Sequence, residues 1–448
     1  MKESPEIYNQ LTPKTPEVIE RFSEKLFRKE DIELEESKFE KFFEAHEKEL
    51  KESLQELLDL WDTKEHRETI GHDNVHITYD LFEWVQLSQG ADLPMSQKYM
   101  TLYGSLLHDL GRYPELLFTE RSGAIDFTKG KQIQLHAALS AKIGAMLARK
   151  YKRVENDPEN KEASLAFTRR IIGAVAFHGG ANETRDPVAH HVQSLDRLAG
   201  ILGSREFVRN VVTDGVSRGA RVYPDERLSY DKMLPGFNNL PPEKYADAID
   251  NPKESWTNIV HYLEMPMRNM FPLSTEFGME RAAAMRRESG IILTLLSGGE
   301  SSPLYQQIFA PELNPKDSYD FPKTRLPKEI WDSIKNGLTE EEVLEMQKHK
   351  DSTMDELIDI MLDQQAPDIT PESRDKTHEL LADVPNNHKK DIQTTLLYIV
   401  SRRKLNVLIE KEFLENVAES EDPLVQLIVS RLLKHSLFNP PGSLNKTS

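Results

Sequence analysis

With no cysteine among its residues, this chain can bind metal only through imidazole and carboxylate donors, and it has 14 histidines to draw on. The strongest single piece is LLHDLGR, Leu106 to Arg112, in which His108 and Asp109 close an apolar stretch. Adjacent nitrogen and oxygen donors at a helix end can converge on one cation. Alone, the dipeptide reads equally well as a helix cap followed by a local turn. Its company shifts the balance. Upstream, GHDNVHITYDL carries His72 and His76 one helical turn apart; downstream, LHAALSAKIG carries His136, AFHGG carries His178 and VQSLDRLAG carries Asp196. An aspartate inside the apolar helix HHVQSLDRLAGILG is costly unless Arg197 pairs with it or a metal binds it. The order His, His–Asp, His, His, Asp points to a centre gathered from several helices.

A divalent ion in such a centre lowers the pKa of a bound water and polarises a substrate oxygen, whether carbonyl or phosphoryl. If His136 and His178 converge on the same place, Asp109 is positioned to bridge a second ion. Arg112 follows the His–Asp turn and is the best candidate for a phosphate clamp, because a guanidinium binds two phosphate oxygens at once. The plainer reading is an ion pair with Glu115 or Glu120. Lys129 and Lys131 precede His136 and could cover the pocket, although loop lysines are usually only solvated. His261 and Arg286 are candidates to reach substrate from later helices, against the plainer alternative of packing. Arg185 and Arg197 are weaker candidates still. His190 and His191 are consecutive, so at most one faces inward. His46, His66, His349, His378, His388 and His435 fall outside the pattern and read as surface residues.

The elements that must position these groups read as helices. Phe39, Phe42, Phe43, Leu50, Leu54, Leu57 and Leu58 recur at helical spacing through 33–61, with Glu and Lys between them. Helices fit 75–88, 96–109, 132–150, 163–178 and 189–213, with a loop over 111–131. Alternating β-branched residues are scarce, and GARVYPD (219–225) is at most a small ribbon. Pro-rich stretches at 234–252 and 301–327 act as punctuation. Beyond them the chain turns helical again, notably over 394–417 and 423–438, and TEEEVLE (339–345) has the capping threonine and acidic first turn of a helix start. The expected division is an N-terminal arm and amphipathic helix (1–62), a metal-binding domain (63–300), a Pro-rich linker (301–327) and a C-terminal helical region (328–448).

Charge and composition narrow the chemistry. A formal net charge of -18 argues against general binding to a nucleic-acid backbone. A small anionic substrate held through a metal is compatible with it. No stretch approaches the roughly 20 apolar residues needed to span a bilayer, and the first residues have no apolar signal segment, so the expected location is cytoplasmic.

The motif order resembles the HD-domain superfamily of metal-dependent phosphohydrolases over about residues 64–300. HDNVH (72–76), AFHGG (176–180), VQSLDRLAGILGSREF (192–207) and 259–288 are similar to the branch containing bacterial nucleotide pyrophosphohydrolases. The resemblance implies an all-α HD-domain helical bundle, carrying here an N-terminal helix and an additional C-terminal helical region. It implies His76, His108, Asp109 and Asp196 as core metal ligands, with His72 beside the metal. The chain departs from that branch at Tyr79-Asp80, where Arg-Val is usual, and at 111–115, where an Asp and a Lys are usual. HxxxSA at His136 is closer to HD enzymes with two metals. The implied cofactor is one or two divalent ions (Mn, Mg, Fe, Co, Ni or Zn), and the implied reaction is hydrolysis of a phosphoester or phosphoanhydride bond in a nucleotide or related small phosphate. The same ligand types also serve HD-fold di-iron oxygenases, and a catalytically silent HD-domain sensor is a third reading. The C-terminal helices read first as core extension, with a homo-oligomer contact or a protein partner as alternatives.

Overall fold

The structure is a computed structural model, and it describes residues 19, 25–63, 74–112, 135–150, 158, 160–179, 185–200, 202–217, 263, 273, 275–298, 303–309, 334, 336–382 and 389–439. Helix accounts for 82% of it and no strand occurs among the described residues, so the fold is all-α. Two compact units divide the chain. The first comprises Met1–Ala199 with Leu273–Met279, the second Gly200–Pro272 with Glu280–Ser448.

In the first unit, α1 (Lys29–Ile32) leads into α2 (Glu36–Trp61), followed by α3 (Asn74–Gly90), α4 (Met95–Leu107), α5 (Leu135–Lys150), α6 (Lys161–Phe177) and α7 (Pro187–Gly200). The apolar stripe expected along α2 is buried throughout, from Phe39 to Trp61. Two aromatic residues strap α2 to α4 while keeping their polar tips satisfied. Trp61 Nε1–H donates to the Leu106 carbonyl at 2.7 Å, and the Tyr103 hydroxyl donates to the Leu50 carbonyl at 2.6 Å. His46 departs from the surface role expected of it. It is buried at a kink in α2, with its ring 5.3 Å from that of Phe42. The α2 stripe continues through that turn, so the inward face takes whatever residue occupies it.

The second unit holds α8 (Gly203–Ser217), α9 (Glu276–Gly298, from Glu280), α10 (Pro303–Phe309), α11 (Glu340–Lys348), α12 (Met354–Gln365), α13 (Pro371–Ala382), α14 (Lys389–Val417) and α15 (Pro423–Leu432). The single helix expected over 189–213 is two helices, α7 and α8. Gly203 stands at φ 72, a left-handed conformation that breaks the run and that glycine adopts without a Cβ penalty. The start of α8 is then bound by α9: Gly203 N–H donates to Ser289 Oγ and Ser204 N–H to Glu288 Oε2. Glu288 also accepts from Arg402 on α14, and Arg287 reaches Glu342 on α11 through two nitrogens at 2.8 and 2.9 Å. Paired and hydrogen-bonded in this way, these four charges are offset. Thr339 caps α11 through a full capping box with Glu342, as the acidic run suggested. Part of the Pro-rich 301–327 stretch is helix α10. The possible ribbon at 219–225 and the loop at 234–252 lie outside the described residues. Among the described residues no helix is long and apolar enough to cross a membrane.

Candidate metal centre

Five helices of the first unit, α3 to α7, bring six donor side chains together. His108 and His178 occupy equivalent places, each in right-handed helical conformation as the cap residue closing its helix, α4 and α6. Carbonyls in a last helical turn lack intrahelical partners. Each ring satisfies one of them: Nδ1 of His108 donates to the Ser105 carbonyl, and Nδ1 of His178 to that of Val175, both at 2.7 Å. A proton on Nδ1 leaves Nε2 of the neutral ring as a lone pair, so local helix chemistry fixes which edge each histidine presents.

Those edges meet the rest of the set. His76, from the first turn of α3, places Nε2 3.2 Å from Nε2 of His108, 3.5 Å from Asp109 Oδ2 and 3.4 Å from Asp196 Oδ1. His108 Nε2 lies 3.3 Å from Asp109 Oδ2 and 3.5 Å from Asp196 Oδ1. On the other side of Asp109, His136 Nε2 stands 3.5 Å from Oδ1 and 3.3 Å from His178 Nε2. Two donor groups result, His76/His108/Asp109/Asp196 and Asp109/His136/His178, each with its ligand atoms within 4.8 Å of one another. They share Asp109, which turns one oxygen to each. All six residues are buried.

The donor set fits a divalent cation. Facing imidazole lone pairs repel unless a proton or a cation lies between them. Ligand atoms at about 2.1 Å from a common ion sit roughly 3.0–3.4 Å apart, close to the separations of 3.2 Å between His76 and His108 and 3.5 Å between His136 and Asp109. Nitrogen and carboxylate oxygen together suit several divalent metals, so the geometry does not select one.

Close helix approaches set these distances. A Cβ on Gly104 would fall 2.5 Å from Cγ2 of Val192, so α4 and α7 cross where only glycine fits. One turn further along the two helices are His108 and Asp196. Likewise a Cβ on Gly111 would lie 2.1 Å from the His136 carbonyl oxygen, and Gly111 N–H donates to Ser140 Oγ at 2.7 Å, seating the start of α5 against the His–Asp turn. Gly104→Ala is expected to cost about 1–3 kcal/mol through overpacking. Combined with Val192→Ala, which makes room, the loss should shrink to what Val192→Ala costs on its own. Denaturant midpoints of the four chains check this, and additive losses would contradict it.

Electrostatics follow from burial and from Asp109. Burial lowers the pKa of His76 and His178 and keeps both rings neutral, as ligands must be. For His108 burial acts the same way, but Asp109 and Asp196 outweigh it and hold the ring well above the usual histidine range. Burial raises Asp196, yet hydrogen bonds from His108 and His76 hold it well below the usual carboxylate range. Without a cation, then, a proton sits on His108 at neutral pH, and a metal must displace it. The sign is fixed: uptake near neutral pH should expel about one proton per chain, with affinity rising as the pH climbs and falling as the solution is acidified. Calorimetric titrations with Mn²⁺ in two buffers of different ionisation enthalpy read the proton count directly, and equal heats in both would contradict it.

Of the other candidates, Arg112 is buried, with Nε 3.3 Å from Asp109 Oδ1, at the edge of the donor set. Arg197 is buried beside Asp196, and burial lowers its pKa to about 10. Arg185 is exposed. His190 and His191 are half-buried and belong to neither donor group; burial and His190 together push His191 down to about 4. Arg286 stands on α9 in the second unit, where burial lowers its pKa. His72, Lys129, Lys131 and His261 lie outside the described residues.

One residue that sequence reasoning passed over is Asp80. It appeared only as a departure from a motif. Its carboxyl group is fully enclosed, burial pushes its pKa up to about 7, and Oδ2 lies 3.9 Å from His108 Nδ1. The available signal was an aspartate one turn after His76, set among Tyr79, Leu81 and Phe82.

No match was found. No model of a known protein family, no curated protein and no solved structure matches the chain.

Proposed function

We propose that the chain is a metal-dependent phosphohydrolase of the HD-domain type, cleaving a phosphoester or phosphoanhydride bond of a nucleotide or related small phosphate. The observation that carries this reading is the pair of donor groups sharing Asp109, one carboxylate oxygen turned to each. A divalent ion held there supplies an acidified water and polarises a phosphoryl oxygen. The remaining work falls to the chain. His76, His108 and Asp196 complete one set of ligands, and His136 and His178 the other. Arg112 places a permanent cation, already stripped of most of its water, beside these ligands. A guanidinium in that position orients a phosphoryl group and balances the negative charge that builds on its oxygens during attack. The burial of the whole set strengthens each of these interactions.

The same observation also favours one alternative. Four histidines and two aspartates around a shared carboxylate can hold two irons, as in HD-fold oxygenases. Metal analysis of the purified chain, coupled to a phosphate and pyrophosphate release screen over nucleotides with Mn²⁺ or Mg²⁺, separates the readings. Metal-dependent release supports hydrolysis. Two irons per chain with a mixed-valent signal favour the oxygenase. Metal uptake with no turnover of any phosphate would leave a silent sensor, and failure to take up any divalent metal would sink all three.

A further inference from the structure

Asp80 lies one helical turn beyond His76 on α3, and every residue from 74 to 85 is buried. Neither of its carboxylate oxygens has a partner in good hydrogen-bond geometry, although the Ser105 hydroxyl is near enough to draw its pKa down slightly against the effect of burial. Ser105 Oγ and Thr101 Oγ1, one turn apart on α4, are buried as well, and Thr101 Oγ1 has no hydrogen-bond partner. A carboxylate in such surroundings is a liability to folding, and well-packed apolar side chains usually do better than buried charges. Stability alone does not account for an aspartate here.

The placement of His108 does. Its Nδ1 edge donates to the Ser105 carbonyl and faces Asp80 Oδ2 at 3.9 Å, while Nε2 faces His76, Asp109 and Asp196. The ring therefore stands between Asp80 and the donor set. Asp80 belongs to neither group of ligand atoms, so it is not itself a ligand. Metal-binding histidines commonly have a carboxylate or carbonyl behind the ring, which fixes its orientation and makes the ligating nitrogen more basic. Here the carbonyl fixes the tautomer and the carboxylate adds charge. Among the described residues the two donor groups hold two carboxylates, Asp109 and Asp196, and Asp80, when ionised, adds a third negative charge close behind them.

We infer that Asp80 is a positioning residue of the metal centre, acting through the His108 ring to strengthen cation binding by its charge rather than its shape. The inference rests on the metal-centre reading above. It is tested on the full chain with two substitutions: Asp80→Asn, which keeps the shape and removes the charge, and Asp80→Leu, which is apolar. The probe is Mn²⁺, titrated calorimetrically, with the melting temperature of each metal-free chain measured alongside. The expected result is a loss of Mn²⁺ affinity of about 10–100-fold in both variants. The metal-free Asp80→Leu chain should melt no lower than the unaltered chain, since a buried charge has been removed. The ¹⁵N resonances of His108 should show Nδ1 still protonated in Asp80→Asn, because the Ser105 carbonyl remains. Affinity within about twofold of the unaltered chain in either folded variant would overturn the inference. So would loss of folding in both, which would mark Asp80 as structural. If the unaltered chain itself takes up no Mn²⁺, the metal-centre reading fails and this inference with it; binding by the unaltered chain with unchanged affinity in the variants removes only the role of Asp80.

Discussion

Asp109→Ala should empty both halves of the centre at once and lower turnover by at least about 10³-fold, roughly 4 kcal/mol of barrier. The expectation follows from its two oxygens. Oδ2 stands against His76 and His108, while Oδ1 stands against His136, so no other side chain belongs to both donor groups. His136→Ala is the contrasting case. It takes one ligand from the second group and leaves His76, His108, Asp109 and Asp196 intact. Metal content by elemental analysis should therefore fall toward zero in Asp109→Ala, and by about half in His136→Ala if two ions are bound. Equal metal content in the two variants would show that Asp109 does not bridge. Phosphate release by Asp109→Ala at the rate of the unaltered chain would remove the centre from the reaction.

Arg170→Met should be the most damaging change outside the ligands, costing about 3–5 kcal/mol, because it leaves Asp186 buried without its partner. Both residues are almost fully enclosed, and the guanidinium grips the carboxylate with two bonds, Nε to Oδ2 at 2.9 Å and Nη2 to Oδ1 at 2.8 Å. Asp186 has a second task. Its Oδ1 accepts from Val188 N–H at 3.0 Å, just before α7, whose first residue is Pro187. A carboxylate before the helix with proline in its first position is a strong helix start. Arg170 thus ties α6, which ends in His178, to the opening of α7, which carries Asp196. In a unit of this size the loss amounts to roughly 6–20 °C in melting temperature. Arg170→Lys keeps the charge but cannot grip with a fork, so it should recover only part of the loss. A melting temperature in Arg170→Met within about 2 °C of the unaltered chain would show that the pair contributes little.

Much of the fold and of the centre could be read from residue order. Apolar spacing marked α2 because only one face of that helix is buried, whereas α3 and α4 are buried nearly all round. The ligand candidates His76, His108, Asp109, His136, His178 and Asp196 stood out because polar groups in apolar helices need a reason to be there. What could not be read were close approaches and backbone partners. Nothing in the sequence says that Gly104 lies under Val192, or that a carbonyl at Ser105 holds a ring. The break between α7 and α8 was missed because a single glycine does not announce its φ. Asp80 was overlooked because its meaning depends on a histidine 28 positions away in the chain.

The paired arrangement of His108 and His178 has a consequence for how the centre can fail. Each imidazole is held by main chain, so no side-chain exchange elsewhere can turn the ring over or swap its tautomer. Only unwinding of the final turn of α4 or α6 releases it. Fraying of a helix end, ordinarily the cheapest motion in a folded protein, here coincides with surrender of a metal ligand. A bound ion would in turn suppress that fraying, tying amide-exchange protection at two helix ends to occupancy of one cluster.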